Sequence, residues 1–274
     1  MISVEVAARL KQAGIDNFVV LEQDNDIGGT WYVNTYPGCA CDVQSHLYSF
    51  SFEPNPNWTH MFARQREIWN YQRHCVDKYG LRPHIRLSCG VAQAVWNEQR
   101  CAWLVVTTTG EAYQARTLVA AMGPLSRPAL PKICGFDKFR GKTFHSARWD
   151  HDYDLDGKRV AVIGTGASAI QFVPEIAPRV GRLSLFQRTA PWVVPRPDRR
   201  ISRIERSTFR RFPLVQRIYR NLLYWRLEAR AIVFTQLPRL ARAVKWLGRY
   251  NLKRGIPDPQ LRRRLTPDFP AGCK

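Results

Sequence analysis

Acidic residues are scarce in this 274-residue chain: 22 Asp and Glu stand against 42 Lys and Arg, for a formal charge of +20. Long apolar runs are missing. None approaches the roughly 18 residues that cross a bilayer, which excludes an ordinary membrane-spanning helix. The opening residues, Met-Ile-Ser-Val-Glu-Val, lack the basic stretch and apolar run of a secretory leader, so the cytoplasm is the expected compartment. There is no disulfide framework either. The seven cysteines (39, 41, 75, 89, 101, 134 and 273) are odd in number and scattered, which fits reduced thiols. Cys39 and Cys41 are two apart and match no common metal-ligand spacing, so no metal is expected.

The remaining composition is that of a globular protein. Hydrophobic residues make up 45% and charged residues 23%, which argues against disorder. The length suffices for one large domain or two smaller ones. The charge is uneven: residues 199–274 hold 20 Lys and Arg against 4 Asp and Glu, a net +16. Such a block suits nucleic acid or an anionic membrane surface. Its basic residues alternate with Phe209, Phe212, Leu214, Ile218, Leu222, Tyr224 and Leu227, however, and this spacing predicts helices that bury those residues. A solvated helical surface, or one facing an anionic cofactor, is the preferred reading, and no nucleic acid is expected.

Residues 4–13 read as a helix stopped by Gly14. Phe18–Leu21 reads as a buried parallel strand ending at Glu22. Residues 62–79 suit a helix. Val91–Trp96, Trp103–Thr108, Ala112–Arg116 and Leu118–Ala121 suit strands, with a turn at Thr109-Gly110. Residues 123–136 read as a linker. Arg159–Ile163 is a strand, 167–177 a helix with Pro174 as a kink or early end, and Leu183–Phe186 the next strand. Beyond Pro197 the chain reads as helical and basic to about residue 254, then as loop to the end.

The strongest local signal lies in 160–189. Strand, Gly164-Thr165-Gly166-Ala167-Ser168-Ala169, helix and strand form the context that a dinucleotide turn requires. Gly164 permits the tight turn, Gly166 lets the backbone approach a pyrophosphate, and Ala169 allows close helix–strand packing. The helix N-terminus offers N–H groups to the phosphates. After the second strand, NAD sites carry an acidic residue for the ribose; this chain has Arg188, whose guanidinium suits a 2′-phosphate. NADP(H) is therefore preferred, the alternative being a solvated surface arginine. In the first part of the chain, Glu22 stands where an adenosine ribose would be held, or is an exposed strand-end carboxylate. Two such units in one chain suggest electron transfer between a flavin and a nicotinamide.

Further residues carry a family resemblance. Phe139-Arg-Gly141-Lys-Thr-Phe-His145-Ser-Ala-Arg-Trp149-Asp150 fits F-x-G-x-x-x-H-x-x-x-W-[P/D] and resembles the fingerprint of Baeyer–Villiger flavin monooxygenases. Gly28-Gly29-Thr30-Trp31, Tyr36–Asp42 and Ser45–Ser49 resemble that family's flavin-contacting stretch. Ala121-Met122-Gly123-Pro124 resembles its A-T-G crossover, with Met in place of Thr. Gln187-Arg188-Thr189 resembles its NADPH clamp.

The resemblance implies FAD contacts at Glu22, Gly29, Thr30, Trp31, Asp42, Tyr48 and Val91. It implies NADPH contacts at Gly164, Thr165, Gly166, Ala167, Ser168, Ala169, Gln171, Arg188 and Thr189. Asp42, His145 and Trp149 are implied in catalysis, the last two by coupling the domains; taken alone, they read as a hydrogen-bonded linker histidine and a core aromatic. The implied reaction reduces FAD with NADPH and uses O2 to oxygenate a small organic substrate, a ketone to an ester or lactone, or sulfur or nitrogen. Ala271-Gly272-Cys273-Lys274 resembles the start of the family's Gly-x-Lys-Arg stretch, and Lys274 is carried over as a cofactor contact; the catalytic arginine of that stretch would follow it.

The expected fold is α/β, with two Rossmann-like domains of the FAD/NAD(P)-binding type, the first incomplete, plus a helical insertion. Its parts are a partial FAD-binding domain (1–124), a linker with the fingerprint (125–151), the first part of an NADPH-binding domain (152–198) and a basic helical segment (199–274). The first strand and glycine turn of the FAD domain are expected before residue 1, and without that strand the chain alone is expected to hold FAD weakly or not at all. A non-catalytic NADP(H)-binding remnant is the alternative; a basic nucleic-acid or membrane-surface module ranks below it.

Overall fold

In the computed structural model, residues 1–123, 125, 127–236 and 238–269 are described, with the side chains of 230–242 left aside. The first helix, α1 (Ile2–Gln12), buries Val4, Ala7 and Ala8, the i, i+3, i+4 face that its sequence pattern marks out. It starts two residues before the expected helix and ends at Gln12, one residue short of the expected end, with Ala13 as its C-cap and Gly14 beyond. The chain forms two units: Met1–Tyr36 with Arg64–His151, and Pro37–Ala63 with Asp152–Lys274.

In the first unit, the predicted strand at 18–21 shortens to β1 (Val20–Leu21) and is half-buried, with Val19 exposed, where a buried strand was expected. The four-residue helix α2 (Thr30–Val33) and α3 (Gln65–Lys78) follow. α3 buries Ile68, Tyr71, Gln72, Cys75 and Val76, a continuous helical stripe, and packs on α1 and α2. A short strand, β2 (Ile85–Arg86), pairs in parallel with β1, Val20 opposite Ile85. An antiparallel meander comes next: β3 (Val91–Asn97), β4 (Ala102–Thr107) and β5 (Ala112–Ala115). Trp96 and Trp103 face each other across β3 and β4 with ring centroids 5.7 Å apart. The strand expected at Leu118–Ala121 is not there. No ladder partner lies beside it among the described residues, and apolar content alone does not make a strand.

In the second unit, β6 (Arg159–Ile163), α4 (Ala169–Ile176) and β7 (Arg182–Phe186) form a parallel β-α-β piece with Ile163 opposite Phe186. α4 starts two residues later than expected and continues through Pro174 to Ile176. The basic segment forms α5 (Arg203–Arg211), α6 (Pro213–Gln236) and α7 (Pro238–Gly255). Of the residues expected in its buried stripe, Phe209 is buried, but most of the others are not. Phe209, Gln216 and Leu223, seven apart, are buried, while Phe212, Leu214, Ile218, Leu222 and Tyr224 are exposed. Apolar residues surround these helices on several sides, and a residue every second turn is enough for a narrow contact line. The expected terminal loop also contains a helix, α8 (Pro259–Arg264), capped by Asp258, whose carboxylate accepts the Gln260 N–H at 2.9 Å.

No helix among the described residues is long and apolar enough to cross a membrane. Among those residues there is also no His, Cys, Asp and Glu grouping suited to a metal.

Candidate functional site

The start of the glycine turn is held to the end of β7 by two bonds. Gly164, at φ +103°, donates its N–H to the Phe186 carbonyl at 2.9 Å, and Gln187 Nε2 donates to Thr165 Oγ1 at 3.2 Å. That φ lies where a side chain is disfavoured. A Cβ built on Gly164 or Gly166 meets nothing within 4 Å, so the space in front of the turn is open. Ser168 precedes α4 and makes no side-chain cap, leaving the helix N-terminus to an outside acceptor. Ala169 is buried, as close packing against the sheet requires.

Parallel register carries Arg188 and Thr189 to the same C-terminal edge of β6 and β7 as the turn. Arg188 is exposed and has no carboxylate partner among the described residues. Thr165, Gly166, Ala167, Ser168, Arg188 and Thr189 thus gather at one sheet edge. Gln171 is different: its side chain turns to the segment around Asp42 and bonds to the Ala40 main chain.

Asp42 is exposed, on a loop of the second unit. Beside it, Cys41 is buried, and burial pushes its thiol up to about 12. Tyr48 is half-buried, with its N–H on the Gln44 carbonyl at 3.0 Å. Between them, Ser45 Oγ donates to the His60 carbonyl at 2.7 Å and fixes the loop. His46 is the buried member of this stretch. Its Nδ1 meets Gln216 Nε2 at 3.2 Å, and Phe209 and Tyr219 pack edge-on against it at 4.7 and 5.5 Å. Desolvation lowers its pKa to about 4, so the ring is neutral near pH 7.

In the first unit, Glu22 follows β1, with its N–H on the Arg86 carbonyl at 2.9 Å. Its half-buried carboxylate accepts the Asp24 N–H at 3.1 Å, and burial raises its pKa. Gly29 precedes α2, Thr30 opens that helix and is exposed, and Trp31 is buried with its carbonyl bonded by Gln65 Nε2. Val91 is an exposed first residue of β3. His145 Nδ1 accepts the Ala147 N–H at 3.0 Å and so caps the short 3₁₀ turn Ser146–Arg148; this places the neutral ring's proton on Nε2. Trp149 closes that turn and packs edge-on against Phe144 at 5.2 Å. Lys274, with Ala271–Cys273 and Pro124, lies outside the described residues.

Three contributors carried no signal in the sequence reading. Trp69, which fills the space beside Gly28 and bonds the Ile27 carbonyl at 2.8 Å, looked like any helix aromatic. Arg196, between two prolines, donates to the Cys41 carbonyl at 3.4 Å. Gln216 reaches His46 from 170 residues away.

A parallel β-α-β piece with an open glycine turn and an exposed arginine at its edge defines a pyridine-nucleotide-binding protein. The chain belongs to the pyridine nucleotide-disulphide oxidoreductase family, whose model matches residues 2–218. More narrowly, it is 54% identical over 98% of its length to a Baeyer-Villiger monooxygenase of Pseudomonas aeruginosa, of which it covers 51%. An oxidized steroid monooxygenase bound to NADP matches with a TM-score of 0.85 and 32% identity, over 99% of this chain and 59% of that one. A complex of OTEMO with FAD and NADP matches with a TM-score of 0.83 and 28% identity, over 99% and 59%. The chain spans about half the length of the curated relatives it matches.

Proposed function

We propose that this chain carries the nucleotide-binding part of an FAD- and NADPH-dependent monooxygenase that oxygenates a small organic substrate with O2. The α/β architecture is read as two dinucleotide-binding domains with a helical insertion. The observation that carries the reading is Arg188. It stands at the edge where a 2′-phosphate would lie, with no carboxylate competing for it among the described residues.

The residues fit the two cofactors. The open space before Gly164 and Gly166 admits a pyrophosphate against the backbone, and the uncapped start of α4 supplies N–H donors to it. Arg188 takes the 2′-phosphate through its planar fork, beside Thr189. In the first unit, Glu22 has the chemistry to accept ribose hydroxyls, with Gly29, Thr30, Trp31 and Val91 as further proposed FAD contacts; Asp42 and Tyr48 are proposed for the same cofactor on the family resemblance alone. These residues would hold FAD and NADPH, and the bound flavin would supply the redox chemistry with O2 for converting a ketone to an ester or lactone, or for oxidising sulfur or nitrogen. Asp42 presents its carboxylate from a loop fixed on both sides. His145 holds its ring through Nδ1 and keeps Nε2–H available as a donor.

Titration with NADP+ and NAD+ tests this. Arg188→Ala removes a charge-assisted contact of about 1.5–3 kcal/mol, or roughly 10–100-fold in NADP+ affinity, and leaves NAD+ nearly unaffected. Equal losses for both nucleotides would refute the assignment of Arg188.

A further inference from the structure

The backbone beside Asp42 is fastened from three directions. Gln171, two residues into α4, pairs with Ala40 through both ends of its amide: the Ala40 N–H donates to Oε1 at 3.1 Å, and Nε2 donates to the Ala40 carbonyl at 2.9 Å. The Cys41 N–H donates to the Ala63 carbonyl at 2.9 Å. Arg196 Nη1 donates to the Cys41 carbonyl at 3.4 Å while its guanidinium lies 5.0 Å over the Phe62 ring. Two residues earlier, Gly38 presses on the same turn of α4; a Cβ there falls 2.8 Å from the Gln171 carbonyl oxygen and 2.9 Å from Glu175 Cγ.

α4 is the helix that the glycine turn opens. A ligand on that turn acts on a rigid element whose first turn grips the peptide two residues before Asp42. Reciprocal pairing of a planar amide with one peptide fixes both distance and orientation, as a pair of bonds in a β-ladder does. A nucleotide contact alone gives no reason for it, because such a contact needs the amide turned toward the ligand.

We propose that Gln171 is a positioning residue for Asp42, and that its amide couples the nucleotide-binding helix to the loop that bears this carboxylate. It acts through Ala40 and Cys41 and not by touching the nucleotide. The inference rests on the proposed NADP(H) site and on the proposed role of Asp42.

Amide NMR of the full chain during NADP+ titration, with hydrogen exchange on the same samples, tests the coupling. In the unaltered protein, the Ala40 and Asp42 signals are expected to move with the same half-saturation as Gly166. In Gln171→Ala, Gly166 still moves with an affinity within about twofold, Ala40 and Asp42 stay still, and exchange at Ala40 speeds up by about tenfold or more. Gln171→Glu keeps the acceptor for the Ala40 N–H and loses the donor, so it retains most of the protection at Ala40. If Ala40 and Asp42 follow NADP+ in Gln171→Ala as before, the coupling is refuted. A roughly tenfold loss of NADP+ affinity with Ala40 still protected makes Gln171 a nucleotide contact and refutes it equally. If the unaltered chain shows no NADP+ saturation, the functional reading fails instead, and unchanged exchange at Ala40 in Gln171→Ala would then overturn the clamp by itself.

Discussion

Replacing Gly38 by alanine separates two costs that glycine positions often mix. Gly38 has φ +75° and touches α4; Gly157, in the same unit, has φ +68° and open space where a Cβ would go. Both positions hold the left-handed backbone, which costs an alanine roughly 1–2 kcal/mol. At Gly157 this is the whole effect. At Gly38 the new methyl also falls 2.8 Å from a backbone carbonyl oxygen of α4, an atom that moves only if the helix moves. Overpacking of this kind adds about 1–3 kcal/mol, for a total of roughly 2–5 kcal/mol. The shift also pulls Gln171 from Ala40, so exchange at the Ala40 amide accelerates in Gly38→Ala and not in Gly157→Ala. Urea unfolding followed by circular dichroism, with slopes compared to confirm a common unfolding reaction, gives the two costs. Equal losses in the two variants would refute the packing argument, since only the shared backbone term would remain.

Two further predictions follow from burial. His46 titrates near 4 in the folded chain against about 6.5 when exposed, so the unfolded state binds the extra proton first. Its contribution is complete above pH 6.5 and is lost as the pH falls toward 4, a decline of about 3 kcal/mol; urea midpoints across that range should flatten in His46→Phe. The thiols are expected to separate by exposure: Cys101 and Cys134 are exposed and should be alkylated first, whereas Cys41, buried and pushed to about 12, should be protected until unfolding, as mass spectrometry of timed iodoacetamide reactions would show.

The β6-α4-β7 piece was legible because an apolar run, a glycine turn and a second apolar run follow each other in one short stretch, so local pattern and tertiary pairing agree. Leu118–Ala121 shows the opposite case. It has strand composition, but strand formation depends on a neighbour that the sequence cannot place. Pro257 and Pro259 read as loop, yet Pro259 after Asp258 is also the opening of a capped helix, and the structure uses it so. The basic segment was correctly read as helical from its periodicity; of its expected buried residues Phe209 is buried, but the rest of the line was missed, because apolar residues flank Phe209, Gln216 and Leu223 on both sides. Arg188 was singled out through its place in a motif. The pairing of Gln171 with Ala40 had no such guide, since it joins residues 131 positions apart through one side-chain amide and one peptide.

The outward side of α6 has a colloidal consequence. Leu214, Ile218, Leu222 and Trp225 leave an oily ridge in water, on a segment carrying most of the chain's excess cationic charge. Like charge holds such ridges apart over about 10 Å in 0.1 M salt and over only about 3 Å in 1 M salt. Sulfate, which both screens and salts out, therefore makes the chain adhesive to itself, while dilute buffers keep it dispersed.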